Sequence, residues 1–251
     1  MVNVLISGAL GRMGKKVYEA IFANEQVNAI CGVDIKEDYS ISNFPVYQNF
    51  SKIQEKVDVV VDFSSPANLD NVLDFCLSIN CPAVLCATGY TQSQIEKINQ
   101  ASNTIAIFRS GNMSLGVNVL IDLVKKAASA LYGFDVEIIE KHHNNKVDAP
   151  SGTALMLADA VKGVDQDKFY VYGRDGICGK RNKNEIGIHA VRCGNIVGEH
   201  DVIFAGNFET ITLSHQATDR SVFAEGAVKA ALYIATKTSG LYNMNDVING
   251  K

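Results

Sequence analysis

The chain has 251 residues, enough for one large domain or two modest ones. With 47% hydrophobic and 20% charged residues it has the balance of a folded globular protein and is not disordered as a whole. A formal net charge of −4 argues against nucleic acid or an anionic membrane surface as the main partner, and every apolar run is far shorter than a membrane span.

Residues 2–7 form an apolar run with no basic residue ahead of it and no cleavage pattern behind it. They read as a strand and not as a signal peptide, so the protein is expected in the cytoplasm. Residues 12–23 have helical spacing, with Met13, Val17, Ala20 and Ile21 on one face. Residues 27–33 form a second apolar run ending at Asp34, followed by a polar stretch, 36–43. The β-branched run 57–63 reads as a strand covered on both faces. A helix at 66–79, a strand at 83–87, a helix at 92–101 and a strand at 104–108 continue the alternation. The pattern predicts an α/β fold with a Rossmann-like, doubly wound parallel sheet.

Beyond Asn112 the pattern changes. A long helix at 115–131, a strand at 136–141 and a helix starting near Gly152 precede strand-like runs at 169–172, 186–192, 195–205 and 209–214. These predict a second, α+β domain with a mixed or antiparallel sheet. Residues 221–238 return to helical spacing, and this helix is expected to pack back on the first domain. The division expected is 1–113 with 220–251 for dinucleotide binding, and 114–219 for substrate binding and oligomerisation. The six cysteines, Cys31, Cys76, Cys81, Cys86, Cys178 and Cys193, include no CxxC pair and have no histidine nearby in sequence to complete a zinc set. Each is expected to pack as a small hydrophobe, and no metal site is expected.

Two stretches carry chemistry. Gly8-Ala9-Leu10-Gly11-Arg12-Met13-Gly14 links the first strand to the first helix. Glycines there permit a tight turn and close approach of a phosphate, which the helix N-terminus then receives. Asp34 stands twenty residues beyond Gly14, where an acid accepts hydrogen bonds from an adenine-side ribose. The spacing is GxxGxxG, with Leu10 at the usual middle glycine. An acid at this place favours NADH, while Arg12 and Lys36 leave NADPH open. The loops 62–65, 87–90 and 111–113 follow strands and are candidates to line a nicotinamide.

The second stretch is Glu140-Lys141-His142-His143-Asn144-Asn145-Lys146-Val147-Asp148-Ala149-Pro150-Ser151-Gly152-Thr153-Ala154. Two adjacent histidines leave a strand, a lysine follows in the same loop, and a helix opens at Ser151. In an acidic protein this cationic loop with a helix N-terminus suits an anionic, carboxylate-bearing substrate. Histidine is also the usual group for proton transfer near neutral pH. The pair with only amides beside it is poor metal-ligand spacing.

On these residues the sequence resembles the dihydrodipicolinate reductase family over essentially its whole length. Residues 140–154 match the family signature E-x-H-H-x-x-K-x-D-A-P-S-G-T-A. The 8–14 turn, Val61-Asp62-Phe63, Thr88-Gly89, residues 112–118, Val197-Gly198-Glu199-His200 and residues 220–227 also fit. The resemblance implies hydride transfer from NADH or NADPH to a cyclic imine with two carboxylates, formed by loss of water from its hydroxy precursor. It implies His142 as proton donor or acceptor, Lys146 as the group that polarises and holds the substrate, and His143, Gly152 and Thr153 as carboxylate ligands. Gly8, Gly11, Arg12, Met13 and Asp34 would take the adenosine and pyrophosphate side of the cofactor. Ala87, Thr88, Gly89 and Met113 would flank the nicotinamide. A homotetramer joined through the sheets of the second domain is implied as well.

The chain departs from the family pattern at Asn144, where a second basic residue often stands, and at Cys86-Ala87 in the loop before Thr88. It departs again at Ile35, where some members carry an arginine that reads the 2′-phosphate, which strengthens the lean to NADH. Two other readings compete: another nicotinamide-dependent dehydrogenase of a small dicarboxylate, or a dinucleotide-sensing protein without chemistry.

Overall fold

The computed structural model describes residues 1–36 and 44–250. The chain divides into two compact units, Met1–Leu115 with Arg220–Lys251, and Gly116–Asp219.

The first unit is built on β1 (Val2–Ser7), β2 (Val27–Val33), β3 (Val46–Tyr47), β4 (Val59–Asp62), β5 (Ala83–Leu85) and β6 (Ala106–Arg109). A seventh strand, Gly240–Tyr242, is β12 in chain order. The strand order is β12-β6-β5-β4-β1-β2-β3, and every neighbouring pair is parallel. The β-branched run is buried on both sides. Val59 and Val61 pack with Val4 and Ile6 under α1 (Arg12–Phe22) and α6 (Ser221–Ile234). Val60 and Leu5 pack on the opposite face with α2 (Leu69–Ser78) and α3 (Gln92–Ala101). Each large apolar side chain buried this way contributes about 1.5–3 kcal/mol before chain entropy is set against it. β1 lies between β4 and β2, so the sheet reverses its winding there and the turn after β1 opens at the crevice of the fold.

The second unit contains β7 (Asp135–His142), β8 (Phe169–Tyr172), β9 (Glu185–Arg192), β10 (Gly198–Ala205) and β11 (Thr210–Ala217), in the order β11-β10-β7-β9-β8. The sheet is mixed: β10 runs antiparallel to β7 and β11, while β9 is parallel to β7 and β8. α4 (Leu115–Ala130) and α5 (Gly152–Lys162) supply Leu120, Val124, Leu157 and Val161 to a core with Val136, Ile138, Val202 and Phe204. The alternate residues carry a polar ladder, in which Lys141 meets Glu199 and Asp201, and Glu137 meets Arg174, Arg181 and His189.

Several boundaries move. The helix expected at 66–79 is a 3-10 turn, Pro66–Asn68, followed by α2, and the helix expected to reach residue 238 stops at Ile234. β10 starts at Gly198 rather than residue 195, because Ile196 turns back to bond Cys193. β3, β12, the 3-10 turn Phe50–Lys52 and α7 (Met244–Asn249) were not expected; each is too short to show a period. Of the polar stretch 36–43, residues 37–43 lie outside the described residues. The expectation for the cysteines holds for Cys31, Cys76 and Cys81, which are buried, but fails for Cys178 and Cys193, which are exposed. Both stand in connections beside β9 with no apolar cluster around them; the Cys178 thiol instead donates to the Asp175 carbonyl.

Ile138 is fully buried at the centre of the second unit's core. Ile138→Ala is expected to cost about 2–5 kcal/mol, read as a lower urea midpoint at unchanged slope. A loss under about 0.5 kcal/mol would show that this core relaxes around the deletion.

Candidate active site

The site residues fall into two groups, one in each unit. In the first unit, Gly8 leaves β1 with φ +78, a conformation glycine takes without strain, and its N–H donates to the Val33 carbonyl at 2.8 Å. Gly14 lies against this turn so closely that a Cβ there would stand 2.2 Å from the Gly8 carbonyl oxygen. Asp34 braces the same turn. One carboxylate oxygen accepts the Leu10 N–H at 2.9 Å and the other accepts the Ile35 N–H at 2.7 Å. Gly11 is the N-cap of α1, with no side-chain cap and no acid in the first turn. Gly11 and Arg12 are exposed and Met13 is half-buried. This is an anion-receiving helix start with a carboxylate beside it.

At the ends of neighbouring strands, Asp62 is buried and accepts from the Ser64 N–H and hydroxyl. Burial pushes its carboxyl up, and the Ser64 and Ser7 hydroxyls pull it back. Ala87 is half-buried, and Thr88 and Gly89 are exposed. Met113 packs in the core and is 3% exposed. Burial and the Asp62 charge push the Cys86 thiol well up, which makes it a poor nucleophile.

In the second unit the site is organised around Glu140, which is fully buried. Its Oε2 meets His142 Nδ1 at 2.6 Å and Arg192 Nη1 at 2.7 Å. Its Oε1 accepts from the Ser151 N–H and from Arg192 Nη2, both at 2.9 Å. The same Nη2 donates to the Asp148 carbonyl at 2.7 Å. Ser151 caps α5 by accepting from the Ala154 N–H at 3.1 Å, and its hydroxyl lies 2.9 Å from His200 Nε2. The His142 and His200 rings meet edge to face with centroids 5.2 Å apart. Opposite His142, Gly198 leaves room: a Cβ there would stand 3.1 Å from Nε2. Lys146 pairs with Asp148 at 2.8 Å, and its N–H donates to the His143 carbonyl. His143 is half-buried; Gly152 is exposed and Thr153 half-buried in the first turn of α5.

The charges follow from these contacts. Burial pushes Glu140 up, but Arg192, His142 and the Ser151 N–H hold its carboxyl below the usual range. Burial pulls His142 below the ordinary histidine value, and Glu140 opposes it. His200, more deeply buried, is pulled down to about 4 and is neutral at pH 7. Among the described residues no group of three or more His, Cys, Asp and Glu could hold a metal ion.

The fold thus gathers His142, His143, Lys146, Gly152 and Thr153 into one loop and helix start, and Gly8, Gly11, Arg12, Met13 and Asp34 into one turn. Sequence reasoning gave no role to Glu140, Asp148 or His200, though each lies in a stretch it singled out, and it passed over Arg192. One signal was present: alternation along β7 puts Glu140 on the same face as Val136 and Ile138, an acid at a core position.

A family model described as "Dihydrodipicolinate reductase, N-terminus" matches residues 2–113, and one described as "Dihydrodipicolinate reductase, C-terminus" matches residues 116–248. The chain belongs to the dihydrodipicolinate reductase family. A 4-hydroxy-tetrahydrodipicolinate reductase of Clostridium novyi is 47% identical over 253 residues, covering 100% of both chains. One of Caldanaerobacter subterraneus subsp. tengcongensis is 49% identical, covering 99% of this chain and 98% of that one. Among solved structures, a dipicolinate-bound dihydrodipicolinate reductase from Paenisporosarcina sp. TG-14 superposes with a TM-score of 0.82 at 26% identity, over 98% of this chain and 99% of that one. The mixed second sheet and the parallel first sheet are the fold of this reductase family.

Ser151→Ala removes the α5 cap and the contact to His200 together. It is expected to destabilise the protein by about 1–3 kcal/mol in urea unfolding. A cost below about 0.5 kcal/mol would mean that water replaces both bonds.

Proposed function

We propose that the chain reduces 4-hydroxy-tetrahydrodipicolinate, by way of the dehydrated cyclic imine, to tetrahydrodipicolinate, using NADH or NADPH in lysine and diaminopimelate biosynthesis. The observation that carries this reading is the cationic loop after β7. It brings two histidines and a lysine to the start of α5, in a chain of the dihydrodipicolinate reductase family.

The first unit's residues fit a dinucleotide. The uncapped start of α1 with exposed Arg12 suits a pyrophosphate, and the Asp34 oxygens keep lone pairs for ribose hydroxyls after accepting two backbone N–H groups. The bound nicotinamide nucleotide supplies the hydride. Asp34 repels a 2′-phosphate and Ile35 beside it is 86% exposed and offers no charge, so NADH is the favoured cofactor. Arg12 and Lys36 allow NADPH as well. Ala87, Thr88, Gly89 and Met113 flank the nicotinamide.

In the second unit, His143, Gly152 and Thr153 bind the substrate carboxylates. Lys146 exchanges part of its pairing with Asp148 for the substrate and stabilises negative charge as it develops. His142 Nε2, in the space left by Gly198, is the point of proton delivery. The protein works in the cytoplasm as a homotetramer joined through the second unit's sheet. No helix among the described residues is long and apolar enough to cross a membrane. A thiol-dependent dehydrogenase chemistry is disfavoured by the half-buried, poorly ionised Cys86.

The test is nicotinamide absorbance over time with the fresh condensation product of pyruvate and aspartate semialdehyde, run with NADH and NADPH in parallel. Rapid oxidation is expected, falling on the order of 100-fold or more in His142→Gln and Lys146→Ala. The NADH rate is expected to match or exceed the NADPH rate. A folded protein that binds nucleotide but oxidises none would overturn the reading.

A further inference from the structure

We infer that Glu140 and Arg192 form a positioning pair that decides which nitrogen of His142 exchanges a proton and how readily it does so. The inference rests on the reading of His142 as the proton donor.

The two residues come from different strands. Arg192 is the β9 register partner of His142, and its guanidinium reaches along the sheet to Glu140 on β7. Each Glu140 oxygen has two donors, one of them from Arg192. An ionised carboxylate only accepts, so the group facing it on His142 must be Nδ1–H. Nε2 is then the nitrogen left for exchange, and it is the one facing the gap at Gly198. Because Glu140 is fully buried, its charge must be compensated by its donors, so loss of Arg192 leaves that compensation to the Ser151 N–H and to the protonated form of His142.

Four titratable or charged groups face His142. Glu140 on β7 favours its protonated form; Arg192 on β9 and Lys146 in the following loop disfavour it. His200 on β10 meets the ring edge-on and is itself neutral at pH 7. The two members of the pair therefore pull His142 in opposite directions. Arg192 does a second thing: by donating to the Asp148 carbonyl it ties down the loop whose Asp148 side chain holds Lys146. One guanidinium thus braces both proposed reacting groups.

Opposite pulls give a signature that a merely structural role lacks. In Glu140→Gln, the amide oxygen in the place of Oε1 still accepts from the Ser151 N–H and Arg192 Nη2, while the amide NH₂ in the place of Oε2 gives up the Arg192 Nη1 bond, faces His142 Nδ1 and favours the Nε2–H tautomer. The test is an imidazole NMR titration of the full-length protein, with His142 assigned through His142→Gln, alongside pH profiles of kcat. Glu140→Gln is expected to lower the His142 pKa and switch its tautomer, whereas Arg192→Met is expected to raise the pKa. Since the imidazolium is the donor, activity is lost as pH rises through this pKa. The descending limb therefore moves to lower pH in Glu140→Gln and to higher pH in Arg192→Met. At pH 7, kcat of Glu140→Gln is expected to fall on the order of 100-fold with KM changed far less. Glu140→Asp, which retains the charge, is expected to keep the Nδ1–H tautomer. Together with Arg192→Met it decides the matter if Glu140→Gln does not fold. Shifts in the same direction, or none, would overturn the inference. If the wild-type protein oxidises no nicotinamide, the proposed reaction fails while the NMR arms still judge the pair.

Discussion

A carboxylate with no exposure to water must have its charge and its lone pairs met by the protein. Glu140 is in that position, and its compensation organises the second unit's site. Arg192 reaches it from β9, the Ser151 N–H from the start of α5, and His142 from the end of its own strand. Each of these contacts fixes part of the proposed site: the loop through Asp148, the first turn of α5 through Ser151, and the orientation of an imidazole. Such a group is costly to bury, and removing one partner alone leaves the other stranded. The arrangement is therefore held as a unit.

The first unit solves a different problem with backbone rather than charge. Its strands are parallel, covered on both faces, and end at turns that offer N–H groups. Asp34 closes the glycine turn by accepting from the Leu10 N–H, so the acid proposed for a ribose also shapes the turn proposed for the pyrophosphate. Gly14 lets α1 approach the Gly8 carbonyl at a distance no side chain tolerates. The proposed roles of this turn follow from local chain geometry, which is why a short motif reveals them.

That difference explains what could be read from the residues alone. The helix expected at 92–101 matches α3 at both ends, and the structure shows a capping box of Thr91 and Gln94 fixing its start. β4 was legible as a strand because no helix face needs three consecutive valines. β12 was not, since three residues owe their conformation to pairing with β6. The helix after Ser221 ended early because Lys237 turns back to bond Ile234 and lies over the Tyr233 and Tyr242 rings. At the candidate site, the histidines and lysine stand within one loop, so the sequence alone shows them together. Arg192 does not appear with them: it lies 52 residues from Glu140, and only the β7–β9 register brings the two together. Local spacing exposes groups that share one loop; a partner such as Arg192 comes from another strand.

The most direct measurement is a double-mutant cycle on Glu140→Gln and Arg192→Met, followed by urea unfolding of the four proteins. If the buried carboxylate and its guanidinium stabilise the site jointly, each single change costs several kcal/mol, of the order of 3–5. The double variant should then lose about 1–3 kcal/mol less than the sum of the two. Costs that add to within about 0.5 kcal/mol would contradict the account, because they would mean that Glu140 and Arg192 stabilise the protein independently.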